Sequence, residues 1–197
     1  MGSAHALAAQ AARLNRAAGA PAIPALFFFT DPERTPDPCA AAERLPRGTA
    51  VVYRHFGAAE RARVARRLAA IARSRGLVLL VAGDPQLAAR VGADGVHWPQ
   101  RMLPDVRGRG LVTAAAHDAG AITRAAAVGV DACVLGPVFA TRSGSGNAPL
   151  GLFRASRLAR AAGLPVIALG GINARTAARL NGRGFAGVAA VEALAEA

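Results

Sequence analysis

Eight short apolar runs recur along this chain, and a segment of helical pattern fills nearly every gap between them. The runs cover residues 25–30, 50–54, 77–82, 94–98, 111–116, 132–136, 165–169 and 185–190. Most lack the apolar–polar alternation of a half-exposed strand, as expected of parallel strands buried on both faces. The clearest helices span 60–75, 118–128, 150–162 and 173–181. Asp84, Asp118 and Asn173 stand at N-cap positions before alanine-rich stretches. Gly76, Gly129, Gly163 and Gly182 follow helices where a left-handed cap belongs. Strand and helix alternating eight times, with no domain-sized linker, predicts an α/β protein folded as a closed (β/α)8 TIM barrel. A doubly wound open sheet is the weaker alternative, because no G-x-G-x-x-G follows the first strand. The first crossover carries four prolines and the fourth carries two, so both are expected to be short or irregular. Residues 1–197 read as a single domain, with residues 1–20 an N-terminal helical extension capping the barrel bottom.

Two stretches point to chemistry. VLGPVFATRSGSGNAPLG (134–151) and PVIALGGIN (165–173) each begin as a buried strand and break into glycine with small polar residues. Backbone of that kind approaches a ligand closely and offers free N–H groups, as phosphate binding requires. The late strands of a barrel are where such sites collect. Gly170 and Gly171 are therefore phosphate-site candidates, with Gly187 and Val188 near the end of the eighth strand expected to complete the cradle. Arg54 and Arg142 are the candidate cations at the mouth, since a guanidinium fork matches phosphate oxygens.

Charge and composition narrow the classes. The net charge is +12, yet all 24 basic residues are arginine, scattered over helices rather than interleaved with aromatics. No stacking platform for nucleic acid is visible, whereas a basic field suits a phosphorylated small molecule. The absence of lysine excludes a Schiff-base aldolase. No apolar run reaches the roughly 20 residues of a membrane span. The N-terminus lacks the apolar core of a signal peptide, and Cys39 and Cys133 stand alone, so a cytoplasmic location is expected. None of the four histidines has metal-ligand spacing to a second ligand, and no metal is expected. His97 reads as a packed rim residue, and His55 is either a basic group at the mouth or core filler. A homo-oligomer is left open.

The words FFFTDPE, YRHF, ADGVHWPQ, AAAHD, VLGPVFATRSGSG, PVIALGGI and GVAAVEAL follow the order and spacing of the thiamin phosphate synthases and the related TenI-type thiazole tautomerases. The resemblance covers residues 25–194. It implies a (β/α)8 barrel whose mouth holds phosphorylated thiazole or pyrimidine precursors of thiamin. The synthases join a pyrimidine diphosphate to thiazole phosphate, using magnesium on carboxylates and basic residues for the pyrophosphate. Against that pattern this chain has Ala82 and Gly83 for Asn-Asp after strand three, with Asp84 displaced by one and resembling a helix cap. It has Arg101 and Met102 where the carboxylates after the fourth strand belong. Strand two keeps only Arg54 of the basic set. The loop lysine is replaced by Gly144, while Thr141 and Ser143 remain. Glu192 stands at a hydroxyl position, where it would repel phosphate if it faced inward.

The tautomerases need neither magnesium nor a pyrophosphate site. A histidine ending strand five moves a proton to aromatise a phosphorylated thiazole carboxylate, and His117 matches that position. The leading expectation is therefore metal-independent isomerisation, with His117 as acid/base and Arg54, Thr141, Arg142, Ser143, Gly170, Gly171, Gly187 and Val188 holding the phosphate. The alternatives are a divergent thiamin phosphate synthase, which alone would call for Mg²⁺, and a non-catalytic binder of thiamin precursors. A phosphosugar epimerase is more remote, lacking the His/Asp set or paired carboxylates of that chemistry.

Overall fold

The computed structural model describes residues 3–141 and 148–195. Eight parallel strands close into one barrel in sequence order. They are β1 (Leu26–Phe29), β2 (Ala50–Tyr53), β3 (Val78–Ala82), β4 (Gly95–Trp98), β5 (Leu111–Ala116), β6 (Ala132–Leu135), β7 (Val166–Leu169) and β8 (Gly187–Ala190). Closure comes from the pairing of β1 with β8, where Leu26 lies opposite Val188 and Phe28 opposite Ala190. The period of two along each strand divides the core into two shells. Phe27, Val52, Leu80, Val134 and Ile167 fill the barrel interior. Phe28, Val51, Leu79, Leu135 and Val166 face the surrounding helices. Both shells are buried, which is why the strands read as continuous apolar runs.

The helices are α1 (Ser3–Ala17), α2 (Pro38–Ala42), α3 (Arg61–Arg75), α4 (Pro85–Val91), α5 (Ala119–Val128), α6 (Leu152–Ala161), α7 (Ala174–Ala178) and α8 (Glu192–Ala195). The proline-bearing crossovers are reduced as expected. Five-residue α2 spans the first, and a 3-10 turn at Gln100–Met102 the fourth. Asp84, Asp118 and Asn173 cap α4, α5 and α7 by accepting from Leu87, Ala121 and Thr176 N–H. Gly76 and Gly129 take the left-handed cap positions of α3 and α5. By contrast α7 is shorter than its sequence pattern, so Gly182 lies beyond the helix instead of capping it. The extension differs in placement too. Ala4, Leu7, Ala11 and Leu14 bury one face of α1, which packs against α7, α8, β1 and β8 on the outside of the closing seam. Only its last turn reaches the bottom, where Asn15 Nδ2 donates to the carbonyls of Ala20, Ile23 and Ala186. Among the described residues no helix is long and apolar enough to cross a membrane.

Candidate active site

A cavity of about 980 Å³ opens where the C-terminal ends of the strands converge, the end at which barrel enzymes carry their chemistry. A smaller pocket of about 170 Å³, beside Arg73, Gly76 and Asp94, lies at the opposite end and brings no comparable set of functional groups together.

His117, just after β5, lines the cavity. Its N–H donates to Gln100 Oε1 at 3.0 Å. Its ring Nδ1 contacts the Gly136 carbonyl. A carbonyl only accepts, so Nδ1 carries the proton and a neutral ring keeps Nε2 as its basic nitrogen. His97 also lines the cavity but is buried, with Nδ1 2.9 Å from Thr113 Oγ1 and its ring edge-on to Phe29. Burial, assisted by nearby Arg54, pushes its pKa down to about 3. His97 is a neutral packing residue in the cavity wall. His55 is buried against Tyr53, 5.0 Å between ring centres, and outside the cavity wall, which resolves it as core filler.

Arg54 reaches the cavity from the end of β2. Its Nε donates to the Thr30 carbonyl at 2.8 Å, and its Nη2 lies 3.7 Å from Asp31. Nη2 is buried with no hydrogen-bond partner among the described residues. Burial lowers the pKa of this guanidinium, which favours an anionic partner for it. Arg34 and Arg179 join it in the wall, and neither was anticipated. Arg34 pairs with Asp31 at 2.6 Å, holding that carboxyl at a pKa of about 2, and comes within 3.8 Å of Glu192. Arg179 lies over the Phe139 ring at 5.3 Å. An arginine in the loop that follows the first strand was a usable signal for Arg34. Arg179 gave none, since its reach depends on α7 being so short. Glu192 itself lines the cavity, so it faces the mouth.

Gly170 and Gly171 border the cavity with φ of +96° and +64°. A Cβ on Gly170 would lie 2.5 Å from Pro137 Cβ, and one on Gly171 would lie 2.5 Å from the Ala140 carbonyl oxygen. Glycine here lets the β7 loop lie directly on the β6 loop. Among the described residues no backbone acceptor meets either amide, which leaves both N–H groups for a ligand. Thr141 lines the same wall. Arg142, Ser143 and the rest of the expected 143–147 loop lie outside the described residues. Gly187 and Val188 are a correction. They open β8 instead of ending it, Gly187 is packed beneath Ala25 and Ile167, and Val188 points into the helical shell. The mouth end of β8 is Ala190, followed by Val191 and Glu192.

The magnesium implied by the synthase resemblance does not fit these residues. The positions matched to its carboxylates do meet in space, since a Cβ at Gly83 would lie 3.0 Å from Met102 Cε and 3.3 Å from Phe56. Their side chains offer no carboxylate oxygen, the donor a protein usually gives this cation. Asp84 is committed elsewhere, one oxygen capping Leu87 and the other 2.8 Å from Arg61 Nη1. Among the described residues no three His, Cys, Asp or Glu side chains are grouped to hold a metal.

The closed barrel and a cavity at its C-terminal mouth define a (β/α)8 barrel of the enzyme type. The family model described as thiamine monophosphate synthase matches residues 26–194, and the chain belongs to that family. It is 37% identical over 140 residues to the thiamine-phosphate synthase of Laribacter hongkongensis, covering 68% of this chain and 66% of that protein. It is 32% identical over 157 residues to that of Chloroflexus aurantiacus, covering 76% and 73%. The first of these matches thus spans just under two thirds of the relative's length. The thiamine phosphate pyrophosphorylase of Pyrococcus furiosus superposes with a TM-score of 0.75 at 23% identity, over 95% of this chain and 90% of that one. That likeness shows the fold.

Proposed function

We propose that this chain is an enzyme of thiamin biosynthesis that couples a pyrimidine diphosphate to thiazole phosphate. Named relatives favour this reading over the isomerisation that the resemblance to the tautomerases put first. The observation that carries it is the cavity: about 980 Å³ is at the upper end for a small-molecule site, room for two phosphorylated rings, and three arginines stand in its wall. Thr141 and the Gly170–Gly171 amides, with Arg142 and Ser143, hold the thiazole phosphate. Arg54 faces the diphosphate. The thiazole nitrogen gives its lone pair to the pyrimidine methylene carbon, and the carbon–oxygen electron pair leaves on pyrophosphate. No proton need move. The site works in the cytoplasm on small phosphorylated molecules.

Isomerisation of a thiazole carboxylate phosphate is kept as a second reading by one observation. His117 has its tautomer fixed by Gly136, leaving Nε2 for proton transfer. The test incubates the chain separately with pyrimidine diphosphate plus thiazole phosphate, and with the non-aromatic thiazole carboxylate phosphate, following both by proton NMR. Thiamin phosphate in the first tube is expected. Conversion in the second tube alone reverses the order of the readings, and binding without turnover in either leaves a non-catalytic binder.

A further inference from the structure

Four carboxylates at or beside the mouth are engaged. Asp31 is bonded to Arg34, and Asp84 to Arg61 and the Leu87 amide. Asp118 caps α5, and Glu192 faces Arg34. Arg34 therefore stands between Asp31 and Glu192, where a bridging cation would otherwise have to sit. The corner where Gly83 meets Met102 is closed by a thioether and the Phe56 ring, with the Arg61 guanidinium 5.4 Å from that ring's centre. Among the described residues lining the cavity, two guanidinium groups have capacity left. Arg54 has a buried Nη2 without a hydrogen-bond acceptor there. Arg179 lines the cavity and forms no ion pair among the described residues.

We infer that this mouth neutralises a diphosphate leaving group with its own arginines, chiefly Arg54 and Arg179, and binds pyrophosphate without a divalent cation. The inference rests on the coupling reading for its biological use but not for its binding claim. As the carbon–oxygen bond breaks, both bonding electrons pass to the bridging oxygen, and the departing anion gains charge. Arg54, part-buried and held by the Thr30 carbonyl, and the exposed Arg179 meet that charge with guanidinium N–H donors. Magnesium would need several oxygens in near-octahedral array. This corner offers a methyl-capped sulfur, a phenyl ring and the Arg61 guanidinium instead.

The test is titration calorimetry of inorganic pyrophosphate into the full chain, once in EDTA and once in excess magnesium, with Mn²⁺ electron paramagnetic resonance beside it. Pyrophosphate is expected to bind in EDTA at least as tightly as in magnesium. Arg179→Gln, on an exposed side chain, is expected to weaken it fivefold or more, as is Arg54→Gln. The free Mn²⁺ signal is expected to persist when protein is added. Pyrophosphate binding tenfold tighter with magnesium, no binding in either buffer, or loss of the Mn²⁺ signal would each overturn the inference. The two ideas fail separately. Metal-free binding without coupling sinks the function and keeps the arginine site, whereas coupling that requires magnesium does the reverse.

Discussion

Gly170→Ala tests whether the β6 and β7 loops must touch for the mouth to form. At φ +96° a left-handed backbone costs an alanine about 1–2 kcal/mol. Its Cβ would also sit 2.5 Å and 2.6 Å from Pro137 Cβ and Cα, and 3.2 Å from Val138 N. A proline ring and backbone cannot swing aside as the end of a long side chain does, so overpacking adds about 1–3 kcal/mol. Against this, alanine lowers the entropy of the unfolded chain by about 0.4–1 kcal/mol. The net loss is roughly 2–4 kcal/mol, or about 5–15 °C in Tm for a chain of this length. Gly163→Ala is the control, with φ +65° and nothing within 4 Å of the new carbon. It retains only the backbone cost and should lower Tm by about 2–4 °C. Circular dichroism melts of the three proteins, with thiazole phosphate titrated into each, separate the terms. Equal Tm losses for the two variants would refute the steric argument. Full thiazole phosphate affinity in a destabilised Gly170→Ala would refute the link between loop contact and the phosphate site.

His97 supplies a pH prediction. Its folded pKa of about 3 lies below its unfolded value, so the unfolded chain binds the extra proton first. Stability should be intact above about pH 6.5, fall as pH drops toward 3, and fall less steeply in His97→Gln; urea midpoints at a series of pH values check this. Asp84→Asn keeps a cap acceptor and loses the ion pair, so it should cost about 1 kcal/mol, against about 2 for Asp84→Ala, by urea unfolding. Asn15→Ala strips a buried amide from three carbonyls that tie α1 to the barrel bottom. It should cost roughly 2 kcal/mol, read as a shift in urea midpoint at unchanged slope.

The barrel was legible because burying a strand on both faces leaves an unbroken apolar run, and eight such runs leave few topologies. The caps were legible because Asp84, Asp118 and Asn173 act on amides three residues away. Gly170 and Gly171 were legible as a break but not as an inter-loop contact, since Pro137 and Ala140 reach them only through the β6–β7 neighbourhood. What failed was whatever turned on a boundary or a long reach. Gly187 and Val188 were assigned to the mouth although the eighth run, read over 185–190, already ended at Ala190 as the strand does. A strand starting at Gly187 puts them at its entrance. Arg34 and Arg179 were missed because an arginine spans several ångströms, and which one enters a cavity is set by neighbouring loops. The loss of oxygen donors at Gly83 and Met102 was readable. That the two positions touch was not.

The two readings of the mouth make opposite demands on His117 and Arg54, and this gives a sharper prediction than either activity alone. Isomerisation must take a proton from one ring atom and return one to another, so removing the His117 imidazole should cost about 10²–10⁴-fold in kcat. Coupling moves electron pairs from nitrogen to carbon to oxygen and transfers no proton. His117→Ala should then lose only the packing and orientation it supplies, less than about tenfold in kcat/KM. Arg54→Gln should behave in reverse. It leaves isomerisation largely intact but takes charge stabilisation from the leaving pyrophosphate, where one donor is worth about 10²–10³-fold. Both variants should be measured on both substrates after matching melts confirm folding. If His117→Ala abolishes coupling while Arg54→Gln spares it, the assignment of pyrophosphate to the arginine side of the mouth is wrong. The histidine would then have to be recast as a contact to the diphosphate.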